Sequence, residues 1–321
     1  MDGESFLTTY SSVEWPSIQR TTDYWDAWQR SQVKAQSLYT DWADHPTVFR
    51  EMMRHAFGNP DTDFFEQIHQ SFLGLEKAHA LSLCCGDGGF ERQLLERSIF
   101  AKITGLEISP ERIAHGQAFL SQLPPGQAPL LDFFQQDVNL GQFGHAQFDV
   151  VFAKAALHHI QDLESALKGI EQCLRPGGVL ITIDFFGPSR FQWTHEQLDA
   201  CNWFWANRVP PHLRNDEEGQ LLPPITRPSV ESMIAMDPSE AARSGELHSL
   251  LCEQFTVLTD APLGGTVLNL LLYGDRVNRF DLADPIHNQV LEEAVAFEHQ
   301  LIAERRLQSD FRLMVLQRKP G

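Results

Sequence analysis

The residues that can do chemistry fall in the middle of the chain, and their order along it is informative. The run Leu81-Ser82-Leu83-Cys84-Cys85-Gly86-Asp87-Gly88-Gly89-Phe90 carries an apolar segment into a glycine-rich turn, and Phe90-Glu91-Arg92-Gln93-Leu94-Leu95 continues in a helical pattern. Glycine lets a backbone pass close to a ligand, and the free amides of a helix start attract polar groups. About twenty residues further on, the usual distance to a ribose-holding acid in nucleotide-binding βα units, comes Glu107. Its carboxylate suits a bidentate grip on two hydroxyls. Asp137 follows Phe133-Phe134-Gln135-Gln136, Lys154 closes the apolar run from Phe148, and Ala155-Ala156-Leu157-His158-His159-Ile160 brings two imidazoles that titrate near neutrality. Asp184 leaves the next apolar run, Val179-Leu180-Ile181-Thr182-Ile183. Neighbouring residues on a helix point in different directions, so His158 and His159 are not expected to share one task. Asp184 is a third catalytic candidate or, equally, an end-of-strand cap.

Positioning such residues takes alternating strands and helices. The pattern predicts strands near 81–83, 101–108, 133–138, 148–154 and 179–184, a helix over Leu163 to Leu174, and a turn at Arg175-Pro176-Gly177-Gly178. Strand, helix, strand at this spacing makes an α/β fold with a doubly wound, mostly parallel sheet, whose strand ends face a ligand crevice. Before it, Thr22 to about Leu75 is helical in pattern, with Tyr24, Trp25, Trp28, Leu38, Trp42, Val48, Phe49, Met52 and Met53 as apolar markers. Pro124-Pro125-Gly126 is a loop before the third strand. After the fifth strand, Gly187 to about Ser239 breaks the rhythm with Phe191, Trp193, Trp203, Phe204, Trp205, Pro210-Pro211 and Pro223-Pro224. A helix from Pro238 to Gln254, a strand from Phe255 to Asp260, helical pattern over Thr266–Tyr273 and Pro285–Leu307, and a strand from Phe311 to Gln317 complete the reading. The expected parts are a helical N-terminal cover (1–77), a cofactor-binding core (78–186), a cap insertion (187–240) and the rest of the sheet with added helices (241–321).

The ordered set of glycine turn, Glu107, Asp137, Ala-Leu-His-His-Ile and Leu-Arg-Pro-Gly-Gly resembles the class I S-adenosylmethionine-dependent methyltransferases, in particular small-molecule members from bacteria, over roughly residues 78 to 186. That resemblance implies a seven-stranded Rossmann-like sheet and S-adenosylmethionine as cofactor. It places Ser82, Cys84, Gly86, Asp87 and Gly88 at the cofactor's methionine end, Glu107 and Ile108 at its ribose, Asp137 and Val138 at its adenine, and Lys154 near its carboxylate. A histidine is frequent in the family at the position of His159, which favours a packing role there and leaves His158 as the base for an oxygen acceptor. Two positions depart from the family: Ser82 stands where an acidic residue is usual, and Cys84 where a glycine is. The segments Gly187-Pro188-Ser189-Arg190-Phe191-Gln192-Trp193 and Asp237-Pro238-Ser239-Glu240-Ala241 resemble those of a bacterial subgroup. Arg190 and Trp193 are the candidates for acceptor binding, since an aromatic face beside a charged donor suits a small polar ligand; most of the insertion's aromatics are expected to be core.

Composition narrows the partners. A formal charge of −18 at pH 7 disfavours polynucleotides and anionic membranes, and no stretch approaches the ~18 apolar residues of a membrane span. Met1 to Tyr10 lacks the pattern of a secretory leader, so a cytoplasmic location is expected. The five cysteines (Cys84, Cys85, Cys173, Cys201, Cys252) form no C-x-x-C pair, and no metal centre is expected. The acceptor is then a small molecule, most plausibly a hydroxyl of a sugar or secondary metabolite. The alternative is a protein that binds S-adenosylmethionine on the same fold without catalysis, motivated by Ser82 and Cys84. A nicotinamide oxidoreductase is disfavoured because none of Tyr10, Tyr24, Tyr39 and Tyr273 starts a Tyr-x-x-x-Lys. Oligomeric state is not legible.

Overall fold

The computed structural model describes residues 16–32, 39, 41–61, 63, 65, 67, 78–97, 100–122, 130–216 and 218–320. Leu38, the Pro124-Pro125-Gly126 loop and residues 1–15 lie outside the described residues. Seven strands form one sheet: β1 (Ala78–Leu83), β2 (Phe100–Glu107), β3 (Leu131–Gln135), β4 (Phe148–Lys154), β5 (Leu174–Phe185), β6 (Thr256–Gly264) and β7 (Phe311–Gln317). Their order is β3-β2-β1-β4-β5-β7-β6. β1 to β5 pair in parallel, and β7 runs antiparallel to both β5 and β6.

Side-chain alternation explains why the sheet is covered on both faces. In β4, Val150 and Phe152 enter one apolar cluster while Val151 and Ala153 enter another. The same split divides Val179 and Ile181 from Leu180 in β5, and Leu313 and Val315 from Met314 and Leu316 in β7. Near-continuous apolar runs of this kind are what a sheet packed on both faces requires. β7 inserts antiparallel between β5 and β6, and its two cores explain why its whole run from Leu313 to Leu316 is buried.

Strand order reverses between β1 and β4, so the loops after them splay apart and open a crevice at the carboxyl edge. Among the described residues, the α-helices α1 (Pro16–Gln32) and α2 (Pro46–Phe57) precede the sheet. The helical preface is thus interrupted, with α2 starting at Pro46 behind a His45 cap and ending at Gly58, whose φ of 74° lets the chain turn away. Within the 238–254 region the expected helix is shorter: residues Ser244–Glu246 make one 3-10 turn and only Leu247–Gln254 is α-helical. Among the described residues no helix is long and apolar enough to cross a membrane.

Candidate active site

A cavity of about 1080 Å³ lies at this carboxyl edge. Its wall is built from the turn after β1 (Ser82, Cys84, Gly86, Asp87), the end of β2 (Glu107, Ile108), the segment after β3 (Asp137, Val138), Lys154 at the end of β4, and His158 and His159 beyond it. Nine of the cofactor-end residues expected from sequence therefore converge from four strands, and Gly88 is the exception. Its φ is 80°, and a Cβ there would meet the Phe133 ring at 2.3 Å. Gly88 serves the close packing of helix Gly89–Glu96 on the sheet, which corrects its assignment as a ligand contact. Gly86 does face the cavity, with the Arg112 guanidinium 2.8 Å from where a Cβ would sit.

Glu107 is buried at 3% exposure and its carboxylate organises the turn. Oε2 accepts from the Gly86 amide (2.8 Å), and Oε1 accepts from the Ile108 and Ser109 amides (2.9 and 3.0 Å). The acid that sequence places at the ribose thus also ties β1 to β2. Above it, Arg112 lies against both Trp25 and Trp28 of α1, its guanidinium carbon 4.7 and 4.9 Å from their ring centroids. Ile18, Thr21, Tyr24, Trp25 and Trp28 of α1 line the cavity, so this helix covers its mouth. Trp25 also meets His159 edge-on at 5.2 Å.

Two buried oxygens on the wall have no hydrogen-bond partner. Asp137 Oδ1 accepts from the Asn139 amide and side chain at 3.0 and 2.8 Å, whereas Oδ2 accepts from nothing. Glu91, 1% exposed, accepts from the Ser82 hydroxyl through Oε1 at 2.5 Å, and its Oε2 is bare. Burial pushes the Glu91 carboxyl up to about 7, against the Ser82 hydrogen bond. A carboxylate is therefore present where Ser82 seemed to leave none: it comes from the first turn of the next helix instead of from the strand. Sequence reading missed Glu91 because the pattern fixes the strand position and says nothing of what reaches back to it. The signal was a serine on β1 followed, one helical turn beyond the glycines, by an acid. Cys84, in the family's glycine slot, takes a φ of 50° and keeps the sharp turn; burial pushes its thiol well above the usual range, so it is inert.

At the other end of the cavity His158 is held from both sides. Its Nδ1 lies 2.5 Å from Asp184 Oδ1 and its Nε2 lies 3.6 Å from Glu240 Oε1. Asp184 also accepts from the amides of Ala156, Leu157 and Phe185 and is 1% exposed. It lies behind the histidine and orients it, which moves Asp184 from candidate base to positioning residue. Burial opposes a charge on His158, but Asp184, Glu240 and Asp237 outweigh it and raise the imidazole to about 9. Burial, with His158 adding to it, drives His159 well below its ordinary value. His159 Nδ1 contacts the Ser239 hydroxyl at 3.1 Å. Glu240 is raised by burial.

The two residues proposed from sequence for the acceptor do not reach the cavity wall. Trp193 is 7% exposed and packs with Cys201, Val267, Leu270 and Leu301 in a separate core cluster, stacked on Phe191 at 5.2 Å. Arg190 donates through Nη1 to the Glu240 carbonyl at 2.9 Å and so fixes the Asp237–Ala241 turn. Their neighbour Phe191 lines the cavity instead, together with Ser239, Glu240, Asn269 and Tyr273. Of the other insertion tryptophans, Trp205 is core and Trp203 is 46% exposed against Phe297.

A family described as "Methyltransferase domain" matches residues 81–180. An uncharacterized methyltransferase of Mycobacterium tuberculosis is 28% identical over 172 residues, 53% of this chain and 82% of that one. Residues 81–180 form a methyltransferase domain of the class I, S-adenosylmethionine-dependent kind. Trans-aconitate 2-methyltransferase of Streptomyces avermitilis is 29% identical to this methyltransferase over 173 residues, 52% of this chain and 61% of that one. The solved structure of geranyl diphosphate C-methyltransferase from Streptomyces coelicolor A3(2), in complex with Mg2+, geranyl diphosphate and S-adenosyl-L-homocysteine, aligns at a TM-score of 0.51 over 96% of this chain and 100% of that one. At 14% identity that likeness concerns the fold. The two orphaned oxygens suit S-adenosylmethionine: Asp137 Oδ2 and Glu91 Oε2 are open acceptors that would take the amino groups at its two ends, and the Lys154 ammonium on the same wall would be the donor for its carboxylate.

Proposed function

We propose that this methyltransferase methylates a hydroxyl oxygen of a small polar molecule, a sugar or a secondary metabolite. The observation that carries the reading is the second end of the cavity, where Phe185, Phe191 and Tyr273 supply apolar and aromatic surface and His158, Ser239, Glu240 and Asn269 supply polar groups. Its volume exceeds the ~300–1,000 Å³ of common small-ligand sites, which leaves room for a nucleoside cofactor and a compact acceptor together. The chain's charge of −18 disfavours a polynucleotide in the same place.

S-adenosylmethionine, when bound, supplies an electrophilic methyl group on a sulfonium. Glu91, Glu107, Asp137 and Lys154 hold and orient it, and α1 limits water access at the mouth. An oxygen acceptor must lose its proton as it attacks. With His158 raised to about 9, the imidazole already carries a proton at neutral pH, so His158 alone is not the vacant base. The His158–Glu240 pair holds the acceptor's proton as a unit, and the neighbouring Asp184 keeps the ring in place. Glu91 also removes the motive for a non-catalytic binder, because the carboxylate thought missing is supplied by a different element.

Incubating the protein and methyl-labelled cofactor with metabolite and glycan extracts tests the reading. Label should appear in small molecules; label in RNA or protein alone would overturn it. His158→Gln should lower turnover by about a hundred- to ten-thousandfold while the dissociation constant for cofactor stays within about twofold, because no cofactor-holding group is touched.

A further inference from the structure

The segment Asp237-Pro238-Ser239-Glu240-Ala241 delivers Glu240 to the two histidines, and the hydrogen bonds around them fix which ring nitrogen carries a proton. Asp184 accepts four hydrogen bonds, one of them from His158 Nδ1, and a carboxylate has no proton to give back. Ser239 spends its hydroxyl hydrogen on Asp237 Oδ1 at 2.7 Å, so its oxygen accepts from His159 Nδ1. His159 is thereby set in the tautomer that bares the Nε2 lone pair, and His158, its Nδ1 held by Asp184, presents Nε2 in the same way once a metal ion displaces the proton there. This is the arrangement by which proteins orient metal-bound histidines, the second nitrogen donating to an oxygen acceptor.

One ligand atom each from His158, His159 and Glu240 lies within 4.8 Å of the others, and all three residues line the cavity. Three buried or part-buried carboxylates, Asp184, Asp237 and Glu240, surround the two rings. Asp237 is fully buried and its Oδ2 has no hydrogen-bond partner. The nearby Arg190 donates through Nη1 to the Glu240 backbone carbonyl, and the group facing the Glu240 carboxylate is His158 Nε2 at 3.6 Å.

We propose that His158, His159 and Glu240 bind a divalent first-row transition-metal ion at the acceptor end of the cavity. Two imidazoles and one carboxylate suit zinc or iron-like ions better than magnesium or calcium, which prefer all-oxygen sites. Three protein ligands leave a coordination position open toward the cavity, as in ligand-binding metal centres. The proposal departs from the expectation of no metal, which rested on cysteine spacing and took no account of mixed histidine and carboxylate ligands. It also deepens the reading above, since the ion would sit where the acceptor hydroxyl is held.

Other histidine pairs do not meet the same conditions. The Asp281 amide donates to His287 Nδ1, so the His287 proton is on Nε2, aimed at His212 Nε2 3.3 Å away. His55 and His299 stack face to face at 3.3 Å, and their lone pairs do not converge.

The test is calorimetric titration of chelator-stripped full-length protein with Zn2+, paired with Co2+ absorption spectra, which report nitrogen and oxygen ligation. One ion per chain is expected. His159→Ala and Glu240→Gln should each weaken binding at least about tenfold, and Ser239→Ala by about tenfold through loss of the orienting bond; His212→Ala should bind as the wild type does. Absence of a Zn2+ binding event, or weakening by His212→Ala in place of Glu240→Gln, would overturn the site. Cofactor titration of the same variants separates the two readings: normal S-adenosylmethionine binding and small-molecule labelling without metal binding would remove the ion and leave the methylation proposal standing.

Discussion

Glu91 and Glu298 are about equally buried, at 1% and 0% exposure, and burial raises both carboxyls, yet their oxygens are satisfied very differently. Glu298, on the helix Pro285–Ala303, accepts from the amides of Gly265, Val267 and Leu268 at 2.8, 2.6 and 2.9 Å. A Cβ on Gly264, whose φ is 84°, would sit 2.1 Å from Glu298 Oε1, so the turn is folded tightly on the carboxylate. Glu91 has one hydroxyl donor and a bare oxygen on the cavity wall. A buried carboxylate surrounded by backbone donors is part of the fold. One left half-satisfied at a cavity costs stability and is retained for a ligand that completes it. Glu107 lies between these cases, with three backbone donors and a place on the same wall.

The largest effect should come from breaking the satisfied site. Glu298→Gln replaces an acceptor-only group with one that presents donors to three buried amides, and the loss should be on the order of 3 kcal/mol or more in chemical denaturation. Cofactor affinity, measured under conditions where the variant is folded, should be close to that of the wild type. Glu91→Gln should do the reverse. With an uncharged isostere in place of a partly desolvated acid, stability should hold or rise slightly, while the S-adenosylmethionine dissociation constant should increase by about ten- to a hundredfold from the lost charge-assisted hydrogen bond. A Glu91→Gln protein as destabilised as Glu298→Gln would erase the distinction and remove Glu91 from the cofactor site.

The same contrast explains what was legible in the sequence. Glu107, Asp137, Lys154 and the histidine pair could be found because each follows a strand whose alternation and spacing are visible, and parallel strands deliver their carboxyl ends to one edge. Glu91, Arg112 and Glu240 reach the site through tertiary packing: a helix turn reaching back to Ser82, a guanidinium laid against two tryptophans, and a turn tied to Arg190. No local period encodes such contacts. Gly88 and Trp193 erred in the opposite direction. Residue types that suit a ligand also suit close packing, and only the Phe133 ring and the cluster around Cys201 decide between the uses. β4 and β7 were readable to their ends, whereas β5 begins at Leu174 and takes in the 175–178 segment expected as a turn, β6 runs on to Gly264, and the start of the helix expected from Pro238 proved to be the turn that carries Glu240.

The smallest expected effect sharpens the comparison through pH. Burial raises the Glu91 carboxyl to about 7, above its ordinary value near 4.5, so the folded protein keeps that proton longer than the unfolded chain does. The sign follows: this residue's contribution to stability is favourable below pH 4.5 and declines as pH rises toward 7, where ionisation in a poorly solvated place is forced. An ammonium group bound to Glu91 stabilises the ionised form, so cofactor binding lowers the carboxyl's pKa and affinity must grow as protons leave. Between pH 6 and 7 the dissociation constant should fall by about fivefold, and then level before the cofactor's own amino group begins to lose its proton near ~8. Glu91→Gln should flatten that acid limb and leave the decline above pH 8 in place. Calorimetric titrations at half-unit intervals from pH 6 to 8.5 measure both limbs. If the acid limb persists in Glu91→Gln, another group carries it and Oε2 of Glu91 does not meet the ammonium.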